Sequence, residues 1–510
     1  MIGEAVASGH PATTAAAVEV LAAGGNAIDA CVAAGFAGAV AEPTLTSLAG
    51  GGFLLARTAE GEEVVFDFFV DTPGLGAPGP APAELDFEEV VVAFSGADQS
   101  FHVGLASVAV PGCLPGWLHA HERLGRVALD VVTAPARRLA SEGVVVNEQQ
   151  AYLLRILAPI LTRTDEAAAI VAPGGRVLVA GERLTNPALA AFLADLDGQG
   201  FAAPALAASV EAAMRAGGGL LTAADLAGYS VVERVPLEVT WRGQRLLTNP
   251  PPSFGGELVA LGLLLLEGQE RWPAPPGSPE HAVALAEAMV ATDAARSAGD
   301  VSRALLRRRA TGGTTHVSVS DADGNVATMT TSNGEGSGWL LPGTGVMANN
   351  MMGEDDLHPD GFHAGPAGQR VASMMAPTIV VGVDGHVDLV VGSGGSKRIR
   401  TALLQVITAV VDQGRSLADA VAAPRLHWDG AELHAEPGWD DAALVALSER
   451  WPVRRWDAAD LYFGGVHAVA PGRAAVGDPR RGGAAHLGAS PVAVGRKTYG
   501  DQRYNRAKRR

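Results

Sequence analysis

Gly313-Thr-Thr-His-Val-Ser-Val-Ser-Asp-Ala-Asp-Gly-Asn-Val-Ala-Thr-Met-Thr-Thr-Ser-Asn333 is the stretch on which the reading of this 510-residue chain turns. Polar and apolar residues alternate over Thr315–Ser320 and again over Val326–Thr331, the period of two that marks strands. Asp323-Gly324-Asn325 between them is a hairpin signal. The stretch begins as proteins begin, with a small residue and two hydroxyls, yet it lies three-fifths of the way along the chain.

A threonine hydroxyl is a weak nucleophile without a base beside it, and an N-terminal threonine carries that base in its own α-amine. With an ordinary pKa of about 7.7–8, the amine accepts a proton near neutral pH. An internal Thr314 gains it only if the bond after Gly313 is cut. The route is attack of the Thr314 hydroxyl on the Gly313 carbonyl, giving an ester that water hydrolyses. Glycine at 313 suits this, since strained backbone is tolerated best without a Cβ. Spacing alone leaves an ordinary strand open.

Working outward, the hydrophobic share of 48% and charged share of 18% provide for a large core. A net charge of −17 argues against a nucleic-acid partner. Cys31 and Cys113 alone exclude a disulfide framework and a four-cysteine metal site. The N-terminal residues show no secretory signal, and Leu258–Leu266 is too short to span a bilayer, so the expectation is a cytoplasmic protein with no membrane partner. Lysine occurs only at Lys397, Lys497 and Lys508, and residues 497–510 read as a solvated, disordered tail.

Residues 12–41 are Ala-rich at helical spacing, with a cap and a new start at Gly24-Gly25-Asn26-Ala27. Val64–Val70 reads as a strand, and 74–105 as a loop or small excursion. From 116 to 300 the pattern is mostly helical, with a short strand near Leu237–Thr240. Beyond Thr314 come strands at Thr378–Val383 and Val387–Val391, a glycine loop, and a helix at 398–413. A helix-rich part thus precedes a strand-rich part. There is no Gly-x-Ser-x-Gly elbow, Gly392-Ser-Gly-Gly-Ser-Lys397 departs from a phosphate loop at Ser396 and Arg398, and His316 reads as a packed strand residue.

Thr314–Asn325 resembles the start of the small subunit of γ-glutamyltransferases, which are N-terminal-nucleophile (Ntn) hydrolases. The resemblance runs over roughly residues 5 to 485, through Ala23-Gly-Gly-Asn-Ala-Ile-Asp-Ala30, Gly50-Gly-Gly-Phe53, Val110-Pro-Gly112, Gly218–Leu226 and Pro250–Gly256. It continues through Asn349-Asn350, Met375-Ala-Pro-Thr378, Gly392–Ser396 and Asp478-Pro-Arg480. It implies an α/β (α+β) fold, a four-layer αββα sandwich formed jointly by a large subunit, 1–313, and a small subunit, 314–510. It further implies autocleavage at Gly313-Thr314 and a heterodimer of the two products, with no metal or organic cofactor.

Carried over residue by residue, the resemblance makes Thr314 nucleophile and base, with Thr315 and Ser332 as supporting hydroxyls and Thr331 as the alternative to Ser332. The backbone N–H groups of Gly395 and Ser396 match the oxyanion hole, where the family has two glycines. The substrate pocket departs from the pattern. Phe69 stands where the family places an arginine against the substrate α-carboxylate, and a ring cannot replace that clamp. Glu354 takes the place of the amine's acidic partner, Ser373 is left from a serine pair, and Asn333 persists. Arg398, Arg400 or another arginine reaching the site is the alternative supply of positive charge.

The activity implied is transfer or hydrolysis of an amide-linked γ-glutamyl or related acyl group, from a small-molecule donor to an amine or water, through a Thr314 ester. An acylase acting on a β-lactam side chain or a specialised biosynthetic intermediate is the alternative. An uncut binding scaffold is the third reading, and the retained Thr314, Thr315 and glycine loop argue against it.

Overall fold

The computed structural model describes residues 3–76, 84–93, 98–298, 313–358 and 361–488; the basic tail lies outside them. Thirteen strands make two sheets. In chain order they are β1 (Ala5–Ser8), β2 (Gly51–Arg57), β3 (Glu63–Phe68), β4 (Val232–Arg234), β5 (Leu237–Trp241), β6 (Gln244–Thr248) and β7 (Thr315–Ser320). They continue with β8 (Val326–Ser332), β9 (Thr378–Val381), β10 (Val387–Gly394), β11 (Gly465–Ala470), β12 (Ala474–Val476) and β13 (Ala484–Leu487). One sheet runs β13-β1-β7-β8-β2-β3-β4 and the other β12-β11-β10-β9-β6-β5.

The hairpin read from the opening stretch is the centre of the first sheet. Thr315 stands opposite Thr331 and Ser320 opposite Val326, while Ser332 stands opposite Gly51 of β2. On its other side β7 pairs with β1. Strands from before and after Gly313 therefore share one sheet, and the division into a helix-rich and a strand-rich part is not a division in space.

Side-chain alternation builds the layers. In β2, Phe53 and Leu55 join one apolar cluster with Val391 and Ile379 of the second sheet, while Leu54 and Ala56 join another with the helices outside the first sheet. Those helices are α1 (Pro11–Ala22) and α2 (Ala27–Ala41). Every residue of α2 is buried, as expected of a helix apolar all round, and its Ala and Gly content lets the backbone approach the sheet. Asn26 and Asp29 close a capping box at its start. On the far side α3 (Phe254–Glu267) and α4 (Pro279–Ala298) pack together, and α5 (Arg398–Val411) covers β10. The order is helix, sheet, sheet, helix.

The mostly helical reading of 116–300 holds, and the short strand read near Leu237–Thr240 is β5; its partner β6 was missed because it carries Arg245, which is tied to Glu63 and Glu238 at the sheet rim. Of the loop or small excursion read at 74–105, the described residues form an excursion with a hairpin, Glu88–Ala93 with Asp98–Val103, in which Val92, Phe101 and Val103 are deeply buried. No helix among the described residues is long and apolar enough to cross a membrane.

Candidate active site

Thr314 lies at the head of β7 and is 4% exposed. Its carbonyl accepts a hydrogen bond from Arg481 Nη1 at 2.9 Å. Gly394, the last residue of β10, lies against that carbonyl, and a Cβ on it would collide with the Thr314 oxygen. Gly394→Ala must separate the two sheets at this point. The expected cost is about 1–3 kcal/mol, the usual price of overpacking, read as a lower urea midpoint together with slower cleavage.

The peptide before Thr314 is held at both ends. The Ser332 hydroxyl donates to the Gly313 carbonyl, and Ser332 Oγ in turn accepts from the Gly334 N–H at 3.0 Å. The Gly313 N–H donates to Glu335 Oε1 at 2.7 Å. A Cβ at Gly313 would lie 2.5 Å from the Gly334 carbonyl oxygen and 2.8 Å from that of Thr44. A glycine is therefore required here by space. Thr331 faces elsewhere and accepts from the Thr46 hydroxyl at 2.9 Å, so Ser332 is the hydroxyl at the carbonyl.

Thr315 is tied down by a residue that sequence reasoning missed. Its hydroxyl donates to Glu42 Oε2 at 2.8 Å, and Thr13 donates to the other oxygen at 2.9 Å. Glu42, at the end of α2, is fully buried. Burial pushes its carboxyl up, against the pull of Thr315, Thr13 and Arg481. A single Glu closing an Ala-rich helix is the trace it leaves in the sequence.

The loop after β10 turns at Gly395 (φ +117°) and Ser396 (φ +50°), the latter a left-handed conformation unusual for serine. The carbonyls of Gly395 and Ser396 accept from the N–H groups of Arg398 and Ile399, the first turn of α5. The loop thus stands at the N-terminus of a 14-residue helix, beside the Thr314 carbonyl. That end of a helix carries partial positive charge, which suits a developing oxyanion.

The residues matched to substrate binding divide. Asn333 is 1% exposed, and neither end of its amide has a hydrogen-bond partner. Glu354 lies over the same turn, with Oε1 2.5 Å from where a Cβ of Gly334 would be. Beside it is Glu335, a second carboxylate that sequence reasoning missed although it follows Asn333 by two. Burial and the Glu354 charge push Glu335 well above the usual carboxylate range, opposed by the Gly313 N–H, Arg398 and Arg481. Arg481, also missed, is lowered to about 10 by burial and by Arg398. Thr44, Gly313, Glu335, Arg398 and Arg481 line one narrow cavity of about 20 Å³, closed on its apolar side by Leu153 and Leu157.

Ser373 and Phe69 are occupied elsewhere. Ser373 Oγ accepts from the Met375 N–H, and its carbonyl accepts from Ser253. Phe69 is 2% exposed, with its ring stacked on Phe53 at 5.7 Å in the apolar core. Of the arginines, Arg400 is turned to Asp293 at 2.6 Å. Arg370 donates to the Phe69 carbonyl and pairs with Asp71 at 2.9 Å, so its charge is spent on the β3 end. Arg398 reaches the cavity, its Nε donating to the Tyr462 carbonyl at 2.8 Å.

One group elsewhere has ligand-like composition: Asp429, Glu432 and His434. Trp456 Nε1 donates to His434 Nδ1 at 3.1 Å, and an indole N–H only donates, so the imidazole proton sits on Nε2 toward Asp429. A metal-bound histidine has the opposite arrangement.

The gamma-glutamyltranspeptidase family model matches residues 13–307 and 300–488. The chain is 35% identical to the acylase ACY 1 proenzyme of Pseudomonas sp. (strain SE83), over 91% of this chain and 89% of that one. It is 31% identical to the glutathione hydrolase proenzyme of Escherichia coli (strain K12), over 87% of this chain and 84% of that one. The fold matches the cephalosporin acylase structure from Bacillus halodurans with a TM-score of 0.79 at 24% identity, covering 95% and 96% of the two chains. With a threonine nucleophile candidate at a strand head facing a glycine loop, and a family match along nearly its whole length, the chain belongs to the gamma-glutamyltranspeptidase family and is an enzyme of amidohydrolase or acyltransferase type.

Proposed function

We propose that this protein is a proenzyme that cuts itself between Gly313 and Thr314, remains together as a heterodimer of 1–313 and 314–510, and then works as an acylase on an amide whose acyl group carries an amine but is not read as γ-glutamyl. The observation that carries the specificity is Phe69, packed on Phe53 where a carboxylate clamp would need a guanidinium.

In the first step the Thr314 Oγ–H adds to the Gly313 carbonyl carbon. The Ser332 hydroxyl, already on that carbonyl oxygen, stabilises the charge that forms there. The C–N bond breaks, the proton ends on the freed Thr314 amine, and water hydrolyses the ester to a Gly313 carboxyl group. Thr314 then has its base. In turnover its Oγ attacks the donor amide, the amine takes the proton and passes it to the leaving nitrogen, and water or an amine takes the acyl group.

Three 4-nitroanilides test the specificity: γ-glutamyl, its analogue without the carboxylate (4-aminobutyryl), and its analogue without the amine (glutaryl). The expected result is that the 4-aminobutyryl compound equals or exceeds the γ-glutamyl one in kcat/KM, with the glutaryl compound poorest. A γ-glutamyl preference of tenfold or more would overturn it. A second reading, true γ-glutamyl transfer, is favoured by Arg398 in the cavity; it requires that Arg398→Ala abolish such a preference. Phe69→Arg does not rebuild the clamp. It buries a charge in the core, and the expected outcome is a destabilised protein with no gain on the γ-glutamyl anilide.

A further inference from the structure

Glu335 has no role in the mechanism above, yet it holds the N–H of Gly313, on the acyl side of the scissile peptide. Its Oε1 takes the Gly313 N–H, while Oε2 is buried without a hydrogen-bond partner. Its own N–H is pinned to Asn350 Oδ1 at 2.9 Å, so the backbone beneath the carboxylate is fixed. Asn333, two residues earlier, likewise keeps an unpartnered buried amide. Polar atoms buried without partners cost free energy unless something fills the place.

The ester formed in self-cleavage has the same form as the acyl-enzyme of turnover: a carbonyl on Thr314 Oγ, then an α-carbon, then whatever follows. In the precursor the carbonyl is that of Gly313, the α-carbon has no room for a side chain, and the next atom is an N–H on Glu335. The uncut chain is therefore a bound model of its own acyl site. When the segment ending at Gly313 leaves, Oε1 loses its donor while Glu335 stays in the lining of the cavity.

We propose that Glu335 is a positioning residue that presents Gly313 to Thr314 for cleavage, and that in the cut enzyme the same carboxylate accepts an N–H borne by the α-carbon of the acyl group, so that N-acylated glycyl amides fit the acyl site. This rests on cleavage at Gly313-Thr314 and on Thr314 carrying the acyl group.

Two arms test it. In the first, cleavage is followed by intact mass for the wild type, Glu335→Gln and Glu335→Leu, with folding checked by circular dichroism. Gln keeps an acceptor oxygen and is expected to cut within tenfold of the wild-type rate, whereas the Leu variant folds but cuts at least a hundredfold more slowly. Leu cutting like wild type, or Gln failing as badly as Leu, overturns the positioning role. In the second arm, cut wild-type enzyme is given acetylglycyl 4-nitroanilide and 4-oxopentanoyl 4-nitroanilide, which differ only by CH2 in place of N–H. A preference of tenfold or more for the glycyl compound in kcat/KM is expected, and the cut fraction of Glu335→Leu should lose it. Equal rates, or no turnover of either, overturn the acyl-site assignment. A wild-type chain that stays whole overturns instead the cleavage on which both arms stand.

Discussion

Thr314→Ala yields a single uncut chain of 52.0 kDa, where the wild type separates into pieces of roughly 32 and 20 kDa by residue count. The variant loses the oxygen that attacks Gly313, while the fold around it keeps its ties: the residue-314 carbonyl still receives Arg481, and Ser332 and Glu335 still hold Gly313. Thr315 cannot take over, because its hydroxyl is committed to Glu42. Amide turnover should fall by about 10⁴-fold or more, as when a sole nucleophile is removed. Intact mass, N-terminal sequencing of the small piece, and 4-nitroanilide turnover check all of this. Wild-type protein that is active without a new Thr314 terminus would sink the mechanism.

The second large effect concerns stability. Arg425 is 2% exposed and pairs with Asp478 at 2.5 Å; Arg480 binds Glu436 at 2.6 Å and Asp478 at 3.3 Å. Asp478 also accepts the N–H groups of Val466 and Arg480. Asp478→Ala leaves the buried Arg425 charge without its ion-pair partner, a loss of about 3–5 kcal/mol, readable as a drop in urea midpoint. Because Arg481 follows this cluster and reaches the Thr314 carbonyl, slower cleavage should accompany it.

The same carboxylate sets a pH dependence. Burial opposes ionisation of Asp478, but Arg425, Arg480 and the two N–H donors prevail and hold it below the usual carboxylate range. A pKa lowered on folding contributes stability above the unfolded value, about 3.9, and that contribution is lost as pH falls through the folded value. Urea midpoints measured from pH 6 down to pH 2 should show this loss in the wild type. Asp478→Asn should lack that part of the slope.

How much of this was legible without coordinates differs by kind of residue. The Thr315–Asn333 hairpin was readable because a period of two and a Gly-Asn turn are local signals, decided by which face of a strand meets water. The capped break at Gly24–Ala27 and the loop before α5 were readable for the same reason. Strand β6 was not, because Arg245 interrupts its apolar run and only its partners Glu63 and Glu238 make an arginine tenable there. Phe69 was recognised as the wrong residue for a clamp, yet nothing local said that its ring turns into the core.

By itself the sequence offered a threonine behind a glycine at the head of a strand and a glycine loop further on, and the resemblance to γ-glutamyltransferases supplied the kind of chemistry expected of them. Only the tertiary structure decided which groups converge on that threonine. Glu42 lies 272 residues before Thr314 and Arg481 167 after it, yet both are brought to within one side chain of it. Ser332 rather than Thr331 meets the scissile carbonyl, since a one-residue step in a strand reverses the face. Periodicity is set by each residue's own neighbours along the chain, whereas an active site is set by which strands lie side by side, and that order is paid for by the whole core.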